Sequence, residues 1–329
     1  MRFILILILL PFSIFSQEKD SLKIKVSGFL ETYYAYDFSS PTTDSKLPFM
    51  YNYNRHNEFN VNNGLIRAQL QYGNTYASIA VHAGTYVDDN YASEDIKLVS
   101  EAYVGMYLND NKKSSIEVGI MPSYIGFESA TTATNLTLTR SILAENSPYF
   151  MTGIKYNYKP SDKWSFSGLV TNGWQRINRP DKTVTPALGT QIIYKPSEKA
   201  TLNWITFIGK EFYGTELAMR YFSNLYWDNT WNSKWRTILG FDFGIQDSSS
   251  MNDEHLFWMS PVFIAQYSIN PKWQTAVRVE YYQDEDNVIV ATSDAFKTSG
   301  ASINFDYLLN SKVKLRTEAR YFDSKEAIF

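Results

Sequence analysis

The chain has 329 residues, with 24 Tyr, 21 Phe and 8 Trp and no cysteine, long enough for one large domain or two small ones. The missing cysteine excludes disulfides, thiolate metal sites, thiol nucleophiles and a cysteine-linked lipid anchor. A formal net charge of −3 gives no electrostatic support to a general nucleic-acid role, and three scattered histidines do not make a His-rich metal site. A mean hydropathy of −0.30 resembles a soluble protein. A membrane barrel gives the same average, because each lipid-facing residue is matched by a lumen-facing one.

Residues 1–16 read as a cleaved signal peptide. Arg2 supplies the positive start and Phe3 to Phe15 an almost unbroken apolar run. That run is shorter than the ~20 residues a spanning helix needs, and no later stretch qualifies. Export follows, with residues 17–329 as one mature domain. Lys23 to Tyr36 is the first expected strand and 37–57 a polar loop. Phe59 to Gln71 follows, turns at Gly73-Asn74 and returns over Thr75 to Tyr86. After a loop to Leu98, Val99 to Leu108 and Ser114 to Met121 flank the turn 109–113. The segment 122–150 is long and irregular.

The clearest strand is WSFSGLVTNGW at 164–174, preceded by 151–158 and the turn 159–163. Trp164, Phe166, Gly168 and Val170 share one side, because successive side chains in a strand alternate faces. Further strands are expected at 187–194, 201–209, 215–222, 235–243, 256–267, 273–281, 302–307 and 313–321. In most of them apolar residues oppose charged or polar ones, as Leu217, Met219 and Tyr221 oppose Glu216 and Arg220. The facing of 256–267 is ambiguous, because it is apolar on both sides.

Two patterns favour a membrane barrel over a soluble sandwich. Connections alternate between short turns, such as 159–163, 195–199, 270–272 and 310–312, and longer loops, such as 37–57, 88–98, 122–150, 175–185, 247–253 and 283–293. Two connections break the alternation: 226–234 is long for its side and 209–213 is short. Aromatic residues, Trp164, Trp235 and Trp273 among them, mark strand ends, where amphipathic rings suit the bilayer interface. The expected fold is therefore all-β, an antiparallel transmembrane up-and-down β-barrel. About fifteen strands are visible, whereas a single-chain barrel has an even number. The expectation is about sixteen when complete, with a closing strand missing from this sequence.

Several runs carry a resemblance: GFLETYYAYD at 28–37, EAYVG at 101–105, TLTRSILAENSPYF at 137–150, TNGWQ at 171–175, ALGTQ at 187–191 and RTEARYF at 316–322. In this order they resemble the OmpL-like β-barrel porin family over nearly all of the mature chain. The resemblance implies a bacterial outer-membrane barrel of transport function, with no defined substrate. Members of that family usually continue past a segment like 325–329 into a final strand, which this chain does not.

The segment 122–150 is the first candidate site, since loops of this length are functional or disordered. Glu128, Arg140 and Glu145 are the constriction candidates if it folds into the lumen and sets a local field. The competing reading is an extracellular lid anchored by an ion pair among those charges. The lumen-lining candidates are Arg67, Glu101, Glu117, Arg220, Asp242, Arg278, Glu280, Lys314, Arg316, Glu318 and Arg320, because charge on a lipid face is costly. Arg316, Glu318 and Arg320 lie on one strand face, either as a positive stripe or as a mutually neutralised wall.

The expected function is passive diffusion of small hydrophilic solutes or ions. The partners are then outer-membrane lipid and the solute, with a homotrimer as the candidate assembly and no cofactor, metal or nucleic acid. The alternatives are a structural or adhesion barrel with a plugged lumen and binding loops, and a hydrolase using a histidine. His56 and His255 fall in expected loops and His82 in a strand, and no nucleophile motif accompanies them.

Overall fold

Alternation at period two carries through fifteen antiparallel strands that pair in chain order into one sheet. The computed structural model describes residues 21–39, 41, 47–179, 185–248, 254–326 and 328, and the expected signal segment 1–16 lies outside them. The strands are β1 Lys23–Ala35, β2 Glu58–Tyr72, β3 Thr75–Ala83, β4 Val99–Tyr107, β5 Ser114–Pro122, β6 Phe150–Tyr158, β7 Trp164–Thr171 and β8 Ala187–Ser197. They continue as β9 Ala200–Tyr213, β10 Glu216–Thr230, β11 Trp235–Asp247, β12 His255–Ser268, β13 Trp273–Asp284, β14 Phe296–Leu308 and β15 Lys314–Ser324. Among the described residues two short α-helices, α1 Thr85–Asn90 and α2 Ile142–Glu145, and one 3-10 turn, Thr132–Thr134, interrupt the loops. Since every neighbouring pair is antiparallel, β1 and β15, the two ends of the order, run in the same direction.

The two faces of the sheet invert the rule for water-soluble proteins. Outward residues are apolar and open: Ile66 is 63% exposed, Val279 55% and Leu315 58%. Inward neighbours are polar and closed off: Arg278, Asn304 and Asp306 are all buried. A continuous apolar outer surface calls for hydrocarbon, not water, as its solvent. Near the short turns, rings pair directly across strands. The centroids of Trp164 and Tyr194 are 4.4 Å apart, those of Trp235 and Tyr267 4.8 Å, and those of Trp273 and Tyr307 4.7 Å. Such pairs stabilise register and sit where headgroups meet hydrocarbon.

Of the two expected breaks in the alternation of connections, the structure removes the one at 226–234 and sharpens the one after β9. β9 runs on to Tyr213, so only Gly214 and Thr215 join it to β10. Gly209 reads as a breaker, but its bare inward face lets Ala187 approach; a Cβ there would lie 2.5 Å from the Ala187 Cβ. β10 likewise runs through Thr230, because Tyr226 and Asn229 pair with Asn203 and Ala200 and Asp228 holds Arg236 at 2.7 Å. The expected long connection 226–234 therefore shrinks to residues 231–234. In the other direction, β3 stops at Ala83. Gly84, at φ 141, turns the chain into α1, where a Cβ would meet the Asn62 carbonyl oxygen at 2.4 Å. His255 opens β12 instead of lying in a loop, and its Nδ1 is 2.9 Å from Asp247 on β11.

β12 settles its own ambiguity. Leu256, Trp258, Val262 and Ile264 point inward and are buried, while Phe257 and Phe263 point out. Apolar residues on both faces mean that protein, not water, packs against the inner one. Phe49 and Met50 from the β1–β2 loop, Ile125 and Ile142 from the β5–β6 loop, and Val288 and Val290 from the β13–β14 loop join Phe207, Phe222 and Trp258 in one buried cluster. Leu136 and Leu143 form a second with Val262 and Ile264.

Candidate functional site

The β5–β6 loop, residues 123–149, owes its path to inward polar and charged side chains on three strands. Its backbone donors and acceptors meet them one after another. Asn304 on β14 accepts from the Leu138 N–H at 3.0 Å, Glu318 on β15 from Thr139 at 2.6 Å, and Glu280 on β13 from Ile142 at 2.7 Å. Arg278 donates to the Thr139 carbonyl at 2.7 Å and to Thr137 Oγ1 at 3.1 Å. Arg320 donates to the Arg140 carbonyl at 2.8 Å. Arg316 reaches the Thr132 and Asn135 carbonyls at 2.9 and 3.1 Å. An irregular segment can be buried only when its peptide groups find partners, and here side chains supply them.

The same charges neutralise one another. Arg278 Nη2 is 2.8 Å from Glu318 and its Nε 3.1 Å from Glu280, while Arg320 Nη2 is 2.6 Å from Glu280. Arg316 pairs with Asp306 at 2.8 Å, and Lys314 is 3.7 Å from the same carboxylate. Arg316, Glu318 and Arg320 thus form a paired docking surface for the loop instead of a free positive stripe.

Glu128 accepts from the Ser141 backbone at 3.0 Å and from the Ser141 hydroxyl. Ser141 in turn caps α2 by accepting from the Ala144 N–H. Burial pushes the Glu128 carboxyl above its ordinary value, with Arg278 and Ser141 pulling the other way. Glu145 is caged by the Tyr51 N–H at 2.8 Å, Asn52 Nδ2 at 2.9 Å and the Tyr149 hydroxyl at 2.9 Å. The Arg140 guanidinium lies 3.7 Å from the centroid of the Tyr149 ring. Among the described residues Arg140 and Glu145 form no direct ion pair; both converge on Tyr149 instead.

The remaining candidates lie elsewhere on the inner face. Arg67 clasps Glu101, which also accepts from Ser78 at 2.9 Å. Glu117 accepts from Tyr76 at 2.8 Å. Asp242 accepts from Asn224 at 2.5 Å. Arg220 donates to Gln246 at 2.7 Å with its guanidinium between Trp174 and Trp258, at 5.3 and 5.6 Å. His82 is buried, with Nε2 3.1 Å from the Lys97 carbonyl, and His56 Nδ1 accepts from the Asp37 N–H.

Between the loop and the β2–β4 wall lies a cavity of about 290 Å³. Asn63, Arg67 and Glu101 line one side, Glu128, Arg140 and Tyr149 the other, and Tyr226 closes it from β10. Sequence reasoning overlooked several groups that shape this region. Tyr149 carries Arg140. Glu31 on β1 accepts from Tyr53 at 2.5 Å and also from Thr132, which Arg316 holds from β15. Glu31 acts across more than 20 residues of sequence, so its spacing does not mark it.

An up-and-down sheet, apolar outside and ionised inside, with aromatic rings toward its turns, is the wall of an outer-membrane β-barrel channel. The chain belongs to the OmpL-like porins: the family model described as "beta-barrel porin-2, OmpL-like" matches residues 23–329. It is thus a porin of the bacterial outer membrane. No curated protein sequence matches it. Its fold is similar to that of the outer membrane channel DcaP of Acinetobacter baumannii, with a TM-score of 0.63 at 12% identity, covering 93% of this chain and 96% of that one. It is also similar to the trimer form of OmpT from Vibrio cholerae, with a TM-score of 0.60 at 10% identity and 93% and 90% coverage. The anion-selective porin of Comamonas acidovorans gives a TM-score of 0.60 at 11% identity and the same coverage.

Proposed function

We propose that the chain passes small hydrophilic solutes or ions by passive diffusion, along a path between the 123–149 loop and the β2–β5 wall. The carrying observation is that the docked loop leaves open space toward the β2–β4 wall. The loop backbone is bound to β13–β15, its apolar residues pack on β12, and the 290 Å³ cavity lies toward β2–β4. Loop position sets pore diameter, and Arg67, Glu101, Glu128 and Arg140 supply fixed charge of both signs beside the path. The protein then acts as a channel with no reacting group, and residues 17–329 act as one domain. Single-channel recording in a planar bilayer tests this. Stepwise openings are expected, with a reversal potential in a salt gradient that moves when Arg67 or Arg140 is replaced by Gln.

A plugged barrel with binding loops is the second reading. The apolar cluster supports it, because three loops contribute to one buried core on the inner face. Silence from a barrel shown to be folded would favour it.

We further propose a homotrimer in which β3–β5 face the neighbouring copies. The outward residues there, Ile79, Val81, Val104, Met106 and Val118, are aliphatic, whereas the outward face of β6–β13 carries rings from Tyr156 to Trp273. Rings mark contact with headgroups, so a sector without them suits protein contact. Val104→Arg should give monomers by mass measurement in detergent, and an unchanged trimer would remove this face from consideration.

A further inference from the structure

We propose that the cavity beside Arg140 is a binding subsite for a small carboxylate that also carries a hydrogen-bond donor, such as a hydroxy acid. The proposal deepens the channel reading and rests on it only for the route by which the solute arrives. Arg140 is 2% exposed and lines the cavity. Among the described residues no carboxylate lies within 4.0 Å of its guanidinium, which has the Tyr149 ring on one face. Its Nε and Nη1 find no hydrogen-bond acceptor. A buried guanidinium without acceptors is unfavourable, and a carboxylate is the group that matches its fork of donors.

Two further atoms around the same cavity accept no hydrogen bond: Asn63 Oδ1, and Glu128 Oε1, which has Arg278 Nη1 at 4.0 Å. Unmet donors on Arg140 and an unmet acceptor on Asn63, with room for a further hydrogen bond to Glu128 Oε1, call for a solute with both functions. Neighbours cover these atoms now, so the solute is met by a turn of the guanidinium away from Tyr149. A volume near 290 Å³ matches roughly ten waters at ~30 Å³ each, room for a solute of a few carbons. Arg67 does not compete for the carboxylate, because Glu101 already occupies it.

The test is equilibrium binding of lactate to the full chain in detergent, with methyl lactate and propionate as comparison solutes. Lactate should bind at least tenfold more tightly than its neutral ester. Arg140→Gln should weaken lactate by tenfold or more, with Arg140→Lys between. Asn63→Leu should abolish the advantage of lactate over propionate, and this holds even if the Arg140 variants do not fold by heat-modifiable electrophoresis. Equal binding of acid and ester, or unchanged binding to folded Arg140→Gln, overturns the proposal. Conductance is recorded separately. An open channel that fails to bind lactate removes the subsite alone, and a silent barrel that binds lactate removes the pore alone.

Discussion

Replacing Arg278 by Met should release the 123–149 loop without opening the sheet. The guanidinium is fully buried and serves the Thr137 hydroxyl, the Thr139 carbonyl and the Thr139 hydroxyl of the loop, and the carboxylate of Glu318. Methionine fills much of the stem volume but supplies none of these donors. Glu318 keeps the Thr139 N–H, and Glu280 keeps Arg320 and the Ile142 N–H, so each carboxylate is left partly satisfied. Removing one partner of a buried ion pair costs about 3–5 kcal/mol. If that falls on docking alone, the undocked population rises by a factor of roughly 10² to 10⁴. The cross-strand pairs β12–β13 and β13–β14 involve backbone only, so the barrel itself should hold. Trypsin reports the difference, because Arg140 is buried in the docked loop and becomes cleavable when it leaves. The expected result is rapid cleavage after Arg140 in folded Arg278→Met, together with larger or noisier single-channel currents. Wild-type cleavage rates and currents from the folded variant would refute the idea that these charges hold the loop.

Two further outcomes follow from individual groups. Glu128 has a raised pKa when folded, so the docked loop binds a proton more readily than the released one. Docking should therefore strengthen as pH falls from the raised value through the ordinary 4.5, and weaken as pH rises through the same window. Trypsin-independent proteolysis of wild type against Glu128→Gln across that window checks it, and the variant should show the flatter profile. Asp284 at the end of β13 accepts from three successive N–H groups, Val288 at 2.8 Å, Ile289 at 2.7 Å and Val290 at 2.9 Å. Asp284→Ala should loosen the 285–295 loop by about 2 kcal/mol or more, read as faster amide hydrogen exchange at those residues. Unchanged exchange there would show that the apolar packing of Val288 and Val290 holds the loop alone.

The wall was legible in the sequence because its physics is local. A lipid-facing residue must be apolar and its neighbour points the other way, so alternation alone places Leu315 outside and Arg316 inside. Ends of strands were less legible. Gly209 and Gly214 both look like breakers, yet only Gly214, at φ 58, turns the chain, while Gly209 makes room for Ala187. The role of the inward charges was hidden. A charged inner face reads equally well as a wet wall or as a dock, and which holds depends on a loop more than 100 residues away from Arg278, Glu280 and Glu318. One sign of it was present: the both-sided apolarity of 256–267, which only packed protein on the inner face explains. The pairing of Arg140 with Tyr149 instead of Glu145 could not be read at all, because all three lie within one irregular turn whose shape is set from outside.

Thr132 ties the two ends of the strand order together from within. Its hydroxyl serves Glu31 on β1, 101 residues earlier, and its carbonyl receives Arg316 on β15, 184 residues later. The two bonds can stand together only once both outermost strands are in place. Contacts of such long sequence separation form late, since loop closure precedes any return from them. The loop would then also act as a checkpoint on assembly. It can seat fully only in a molecule whose first and last strands have both formed, and a half-inserted sheet would keep its middle segment unlatched and open to proteases.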